Sequence, residues 1–204
     1  MAVSVETSRD IPELAMRSLE ANWNYARWAT LPADGNRYEV IDGVLYMTTA
    51  PSFFHQWIVQ QLARYVGLPA YEAGLAIFAF APVGLLMPGC DPVQPDFVLV
   101  RTDRAAIIHN RRIHGVPDLI AEVLSPGNAA LDEEDKLEAY ANAEVPEYVI
   151  IDPRKRTLQH YRLEAPGCYA APVVFNENDT VTFDCLPTIA LVVESLFAGA
   201  PDTT

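Results

Sequence analysis

The chain has 204 residues, half of them hydrophobic and a fifth charged, with a formal net charge of −13. That length suits one domain able to bury about 70% of its unfolded surface. The acidic balance excludes a generally basic nucleic-acid coat protein, but not a nuclease, whose phosphates can meet a local basic strip and bound metal ions.

Residues 11–29 carry a proline near their start and apolar Leu14, Leu19, Trp23 and Trp28 among polar neighbours, which predicts one or two helices. Residues 31–35 read as a turn. Residues 37–41 and 44–47 flank Asp42-Gly43, a pair suited to the positive φ angles of a type I′ hairpin. Ser52 is then a helix cap, followed by His55, Ile58, Val59, Leu62 and Val66 at helical spacing, with Gly67 as the expected stop. Residues 77–87, 97–100 and 119–124 are apolar and rich in strand formers. Residues 132–143 predict a helix whose acidic first turn suits the helix dipole, with Leu137, Tyr140 and Ala141 on one face. Residues 148–151 and 158–163 predict a second hairpin around Asp152-Pro153. Residues 173–175 and 181–183 read as late strands and 189–197 as a closing helix. The alternation predicts an α/β fold with a mixed sheet. One domain over residues 1–204 is expected, with 1–30 as a helical extension and 31–200 as the core.

Three cysteines, Cys90, Cys168 and Cys185, are odd in number and lack C-x-x-C spacing. They argue against a disulfide framework or a zinc ribbon and for a reducing, cytoplasmic setting. No apolar run reaches the ~20 residues of a membrane span, and the first ten residues lack a basic-then-apolar leader.

Three residues break the local rules. Asp96 opens an apolar strand, and Glu122 sits inside the most apolar run of the chain, where a carboxylate is costly unless paired or bound to a cation. Lys136 is one of only two lysines, set among Asp132, Glu133, Glu134 and Asp135. Two carboxylates and an ammonium can hold a hard divalent cation and direct water at a phosphate. Each also has a plain structural explanation: Asp96 as a turn residue, Glu122 on an edge strand, Lys136 as a surface ion-pair partner. His55 suits a hydrogen-bonded core histidine, and Glu39 a solvent-facing hairpin position.

Read in order, these motifs resemble a known family. They are Arg37-Tyr-Glu-Val-Ile-Asp-Gly43, Ala50-Pro51, His55, Pro82-Val83 and Val93-Gln94-Pro95-Asp96. Then come Val116-Pro-Asp-Leu-Ile-Ala-Glu-Val-Leu-Ser-Pro126, Asp132…Lys136…Tyr140 and Val145-Pro-Glu-Tyr-Val-Ile-Ile-Asp-Pro153. The set resembles the Uma-two family of restriction-endonuclease-like proteins, within the P-D…(D/E)-x-K phosphodiesterase superfamily. The resemblance implies an α-β-β-β-α-β core with extra β-hairpins. It implies Asp96 and Glu122 as catalytic residues and ligands of magnesium or manganese. The superfamily's lysine position is Leu124 here, so Lys136 from the second helix is the implied substitute, with Glu39, His55 and Tyr140 as secondary site residues.

The resemblance thus implies a metal-dependent endonuclease that hydrolyses DNA. The alternative is an inactive nuclease-fold module binding nucleic acid or a protein partner, favoured by Leu124 and the acidic balance; RNA is the second substrate to compare. Two basic groups, Arg101, Arg104, Arg111 and Arg112, then Arg154, Lys155 and Arg156, could bind nucleic acid or simply be solvated loop charge. A homodimer is expected by analogy with enzymes that cut two strands with two sites.

Overall fold

The computed structural model describes residues 15–32, 36–48, 50–126, 129 and 131–201. The chain opens with β1 (Ala15–Arg17), a short helix α1 (Tyr25–Trp28) and the hairpin β2 (Arg37–Ile41) and β3 (Val44–Thr48). Helix α2 (Phe53–Leu62) runs through a π-helical turn, Ala63–Gly67, into α3 (Leu68–Glu72). Five strands follow: β4 (Ala76–Phe80), β5 (Gly84–Met87), β6 (Cys90–Val93), β7 (Phe97–Arg101) and β8 (Ile108–His109). Then come β9 (Arg112–His114), β10 (Leu119–Val123) and a π-helical turn, Leu131–Asp135, that leads into α4 (Lys136–Asn142). The remainder is β11 (Glu147–Asp152), β12 (Thr157–Ala165), β13 (Cys168–Tyr169), β14 (Val173–Phe175), β15 (Thr180–Phe183) and β16 (Leu186–Val192).

The central sheet has the order β13-β12-β11-β10-β7-β4, with β14 also on β12. β10 and β11 run parallel and their neighbours antiparallel. A second sheet, β1-β3-β2-β6-β5-β9-β8, packs beside it, and β15 and β16 form a separate ribbon. Alternation along each central strand divides the core in two. Phe97, Leu99, Leu119, Ala121 and Val123 face α2 and the ribbon, through Ile58, Val59, Leu62 and Phe183. Val98, Val100, Ile120 and Leu124 face the second sheet and α4, through Ile41, Leu85, Val93 and Tyr140.

Several expectations hold. Asp42 and Gly43 take φ of 47° and 76°, as the type I′ turn requires. The Ser52 side chain caps α2 by accepting from the His55 N–H. Others are corrected. Gly67 does not stop the helix: a Cβ there would lie 2.8 Å from the Phe78 ring, so glycine serves close packing, and the helix ends at Gly74 with φ 70°. Within residues 15–29 the only helix is α1, because residues 15–17 pair as an edge strand with β3; residues 11–14, like 33–35 of the expected turn, lie outside the described residues. The expected strand 77–87 breaks at Pro82, with β4 in one sheet and β5 in the other. Residues 189–197 are not a helix: through Val192 they continue β16, whose buried residues alternate against β15, and only Val193–Leu196 makes a 3₁₀ turn.

Candidate active site

The site is built by strand parity and helical spacing. Glu122 falls on the face of β10 shared by Ile120 and Leu124, so it points away from α2 and toward α4 and the second sheet. On β2, Arg37 and Glu39 share the face of Ile41, which packs in the same cluster. Asp132, Lys136 and Tyr140 recur every four residues, forming one stripe through the π turn and α4. Asp96 immediately precedes β7, beside the end of β10.

These elements bring all six sequence-predicted site residues together: Glu39, His55, Asp96, Glu122, Lys136 and Tyr140. The Lys136 Nζ donates to Glu122 Oε1 at 2.8 Å and pairs with Asp132 Oδ1 at 3.1 Å and Glu39 Oε2 at 3.4 Å. Tyr140 donates its hydroxyl to the same Glu122 oxygen at 3.1 Å, and the Asp96 N–H donates to Glu122 Oε2 at 3.1 Å. Asp96 accepts from the Val123 N–H at 2.9 Å and from Arg37 at 2.7 Å, and His55 Nε2 lies 3.0 Å from its Oδ2. Glu39 accepts from the Gln94 N–H at 2.6 Å. Leu124 is buried in the apolar cluster, and the Lys136 amine reaches Glu122 from the helix instead.

Sequence reasoning missed Arg37 and Asp132 as members. Asp132 was one of several acids assigned to the helix dipole, although its spacing of four from Lys136 marked it out. Arg37 lay two residues before Glu39 and therefore on its face of the strand.

Four buried carboxylates, Glu39, Asp96, Glu122 and Asp132, thus face two permanent cations, Arg37 and Lys136, with the His55 imidazole beside Asp96 as a third group able to carry positive charge, so acids outnumber cations. Burial opposes charge on Lys136, but Asp132, Glu122 and Glu39 outweigh it and hold the ammonium well above its usual range. Burial also opposes the Asp96 carboxylate, yet His55 and Arg37 hold it well below its usual range. The surplus charge is felt by the other acids: burial and nearby carboxylates outweigh Lys136 and raise Glu122 well above normal and Asp132 to about 6. A divalent cation carries the charge that would balance this set. Asp96 and Glu122 offer the hard oxygen donors magnesium prefers, and with retained waters two carboxylates suffice. Among the described residues no group of three or more His, Cys, Asp or Glu side chains is placed to hold a metal ion.

Beside the cluster lies a cleft of ≈ 380 Å³ into which His55 opens, walled on the far side by Asp152, Arg154 and Lys155. The β11–β12 turn carrying Arg154, Lys155 and Arg156 follows Asp152, at the sheet end where β10 leaves Glu122. Arg101 and Arg104 sit at or beyond the other end of β7, where Arg104 binds Asp118 at 2.7 Å and Arg101 binds Asp103. The Arg112 guanidinium lies over the Tyr25 ring.

A mixed sheet flanked by two helices, with acids at adjacent strand ends and a lysine delivered from the second helix, is the architecture of a restriction-endonuclease-like protein. The crystal structure of a putative nuclease belonging to DUF820 from Anabaena variabilis has this fold: TM-score 0.72 at 18% identity, over 86% of this chain and 97% of that one. The profile of the Uma2 family, described as "Putative restriction endonuclease", matches residues 24–194, and the chain belongs to that family. No curated protein matches the chain. Among the described residues no helix is long and apolar enough to cross a membrane.

Proposed function

We propose that this protein is a magnesium- or manganese-dependent endonuclease that hydrolyses DNA phosphodiester bonds. The observation that carries the reading is the buried cluster of four acids against two permanent cations, beside an open cleft with basic residues on its rim. Asp96 and Glu122 would hold the cation, which when bound polarises a phosphoryl oxygen and lowers the pKa of its water. The chain's own residues do the rest. Arg37 and His55 fix the Asp96 carboxylate, and Tyr140 fixes Glu122. Asp132 and Glu39 hold Lys136, whose ammonium orients the attacking water or stabilises charge on the phosphoryl group. Lys136 is then a catalytic residue, while Arg37, Tyr140, Asp132 and Glu39 are positioning residues.

Supercoiled plasmid should be nicked in magnesium or manganese, and not in EDTA or calcium alone. Glu122→Gln should lower the rate by about two orders of magnitude or more. Equal rates for wild type and Glu122→Gln, together with no calorimetric magnesium binding, would sink this reading in favour of an inactive nuclease-fold module. Nicking needs one such centre; a double-strand cut takes two, which is the reason for expecting a homodimer whose mass sedimentation velocity reads.

A further inference from the structure

The cleft next to the acids is built for more than access. Its ≈ 380 Å³ lies in the range of small-ligand sites, roughly 300–1,000 Å³. Phe54, Leu124, Pro126 and Pro153 give it an apolar wall. Within that wall Ser125 is only 5% exposed, lines the cleft, and its hydroxyl has no hydrogen-bond partner among the described residues. Buried hydroxyls are nearly always hydrogen-bonded, so this one marks a place where a ligand's acceptor or donor belongs.

Arg154 stands on the opposite rim. Asp152 fixes its turn by accepting from the Arg154 and Lys155 N–H groups at 2.9 and 3.0 Å and pairing with the Lys155 ammonium. The Arg154 guanidinium makes no ion pair among the described residues. The N-terminal end of the ten-residue helix α2, the positive end of its dipole, borders the same space through Ser52 and Phe54.

A guanidinium, a buried hydroxyl and a helix start suit a phosphate. An apolar wall with a partly buried aromatic ring suits the face of a base. Continuous duplex offers the phosphate but keeps its base faces stacked inside. We infer that this cleft is a subsite for one unstacked nucleotide, so that the centre acts on single-stranded or locally unpaired DNA in preference to continuous duplex. The inference rests on the nuclease reading for its choice of DNA.

Fluorescence anisotropy in EDTA, with a short labelled strand free or annealed to its complement, tests binding apart from cleavage. The single strand should bind at least about tenfold tighter than the duplex. Phe54→Leu should weaken single-strand binding about five- to tenfold and leave duplex binding unchanged, whereas the exposed Arg154→Gln should weaken single-strand binding by as much and duplex binding as well. Arg154→Gln should also reduce the salt dependence of binding by about 0.7 of a counterion. Equal or tighter duplex binding, or no effect of either variant, overturns the subsite. Selective binding in EDTA without cleavage in magnesium would leave the subsite standing and remove the catalytic reading; cleavage of duplex and single strand at equal rates would do the reverse.

Discussion

Lys136 and Lys155 are the two lysines of this chain, and their surroundings are opposite. The Lys136 side chain is 1% exposed with three carboxylates within 3.4 Å, whereas that of Lys155 is 70% exposed beside Asp152. Removing one partner of a buried ionic cluster leaves uncompensated charge, at about 3–5 kcal/mol, while an exposed pair contributes about 1 kcal/mol or less. Lys136→Met should therefore lower the urea-unfolding free energy by that larger amount and Lys155→Met should barely change it. Similar values for both would mean that the buried cluster does not depend on its ammonium. The carboxylates that sequence exposed most clearly, Asp96 and Glu122, were legible because one opens an apolar strand and the other interrupts an apolar run. Asp132 was not, because it stands among other acids and only its contact with Lys136 separates it from them.

Among the elements, the turn of the β15–β16 ribbon is hydrogen-bonded to the central sheet through a buried carboxylate. Glu147, at the start of β11, accepts from the Asp184 and Cys185 N–H groups at 2.8 Å each and pairs with His160 Nε2 at 2.7 Å. Burial opposes its charge, but the His160 contact and those N–H groups hold its carboxyl below the usual 4.5. A depressed carboxyl stabilises the fold above its unfolded value and loses that contribution as pH falls through the folded one. Glu147→Gln should cost about 1–3 kcal/mol at neutral pH. Thermal unfolding should show the gap between wild type and variant closing below about pH 4.5; a gap that persists or widens on acidification would count against this tie. The ribbon is also where sequence misled, since residues 189–197 read as a closing helix and only pairing with β15 reveals the strand period through Val192. The first hairpin was legible because Asp42-Gly43 is itself a turn signal, although in the fold the Asp42 N–H also donates to the Gly89 carbonyl at 2.8 Å.

For the molecule as a whole, sheet direction sorts the basic residues that sequence could only group. Arg154, Lys155 and Arg156 share the sheet end of Asp96 and Glu122. Arg101 is removed from Asp96 by the length of β7, about 17 Å at ~3.3 Å per residue. That exceeds the screening length of about 10 Å at 0.1 M salt. With the net charge at −13, approach of a polyanion depends on where positive charge is left without acidic partners. Arg101→Gln with Arg104→Gln should leave DNA affinity at that salt unchanged, by anisotropy, since both guanidiniums already bind Asp103 and Asp118. A clear loss would place the nucleic acid at the wrong end of the sheet.

The cluster draws Arg37 and Glu39 from one sheet, Asp96 and Glu122 from the other, and Lys136 from the helix between their later strands. A nascent polypeptide still on the ribosome therefore holds its acids dispersed along the thread, with nothing yet able to gather them. The cluster is assembled only after synthesis has passed α4 and both sheets have closed.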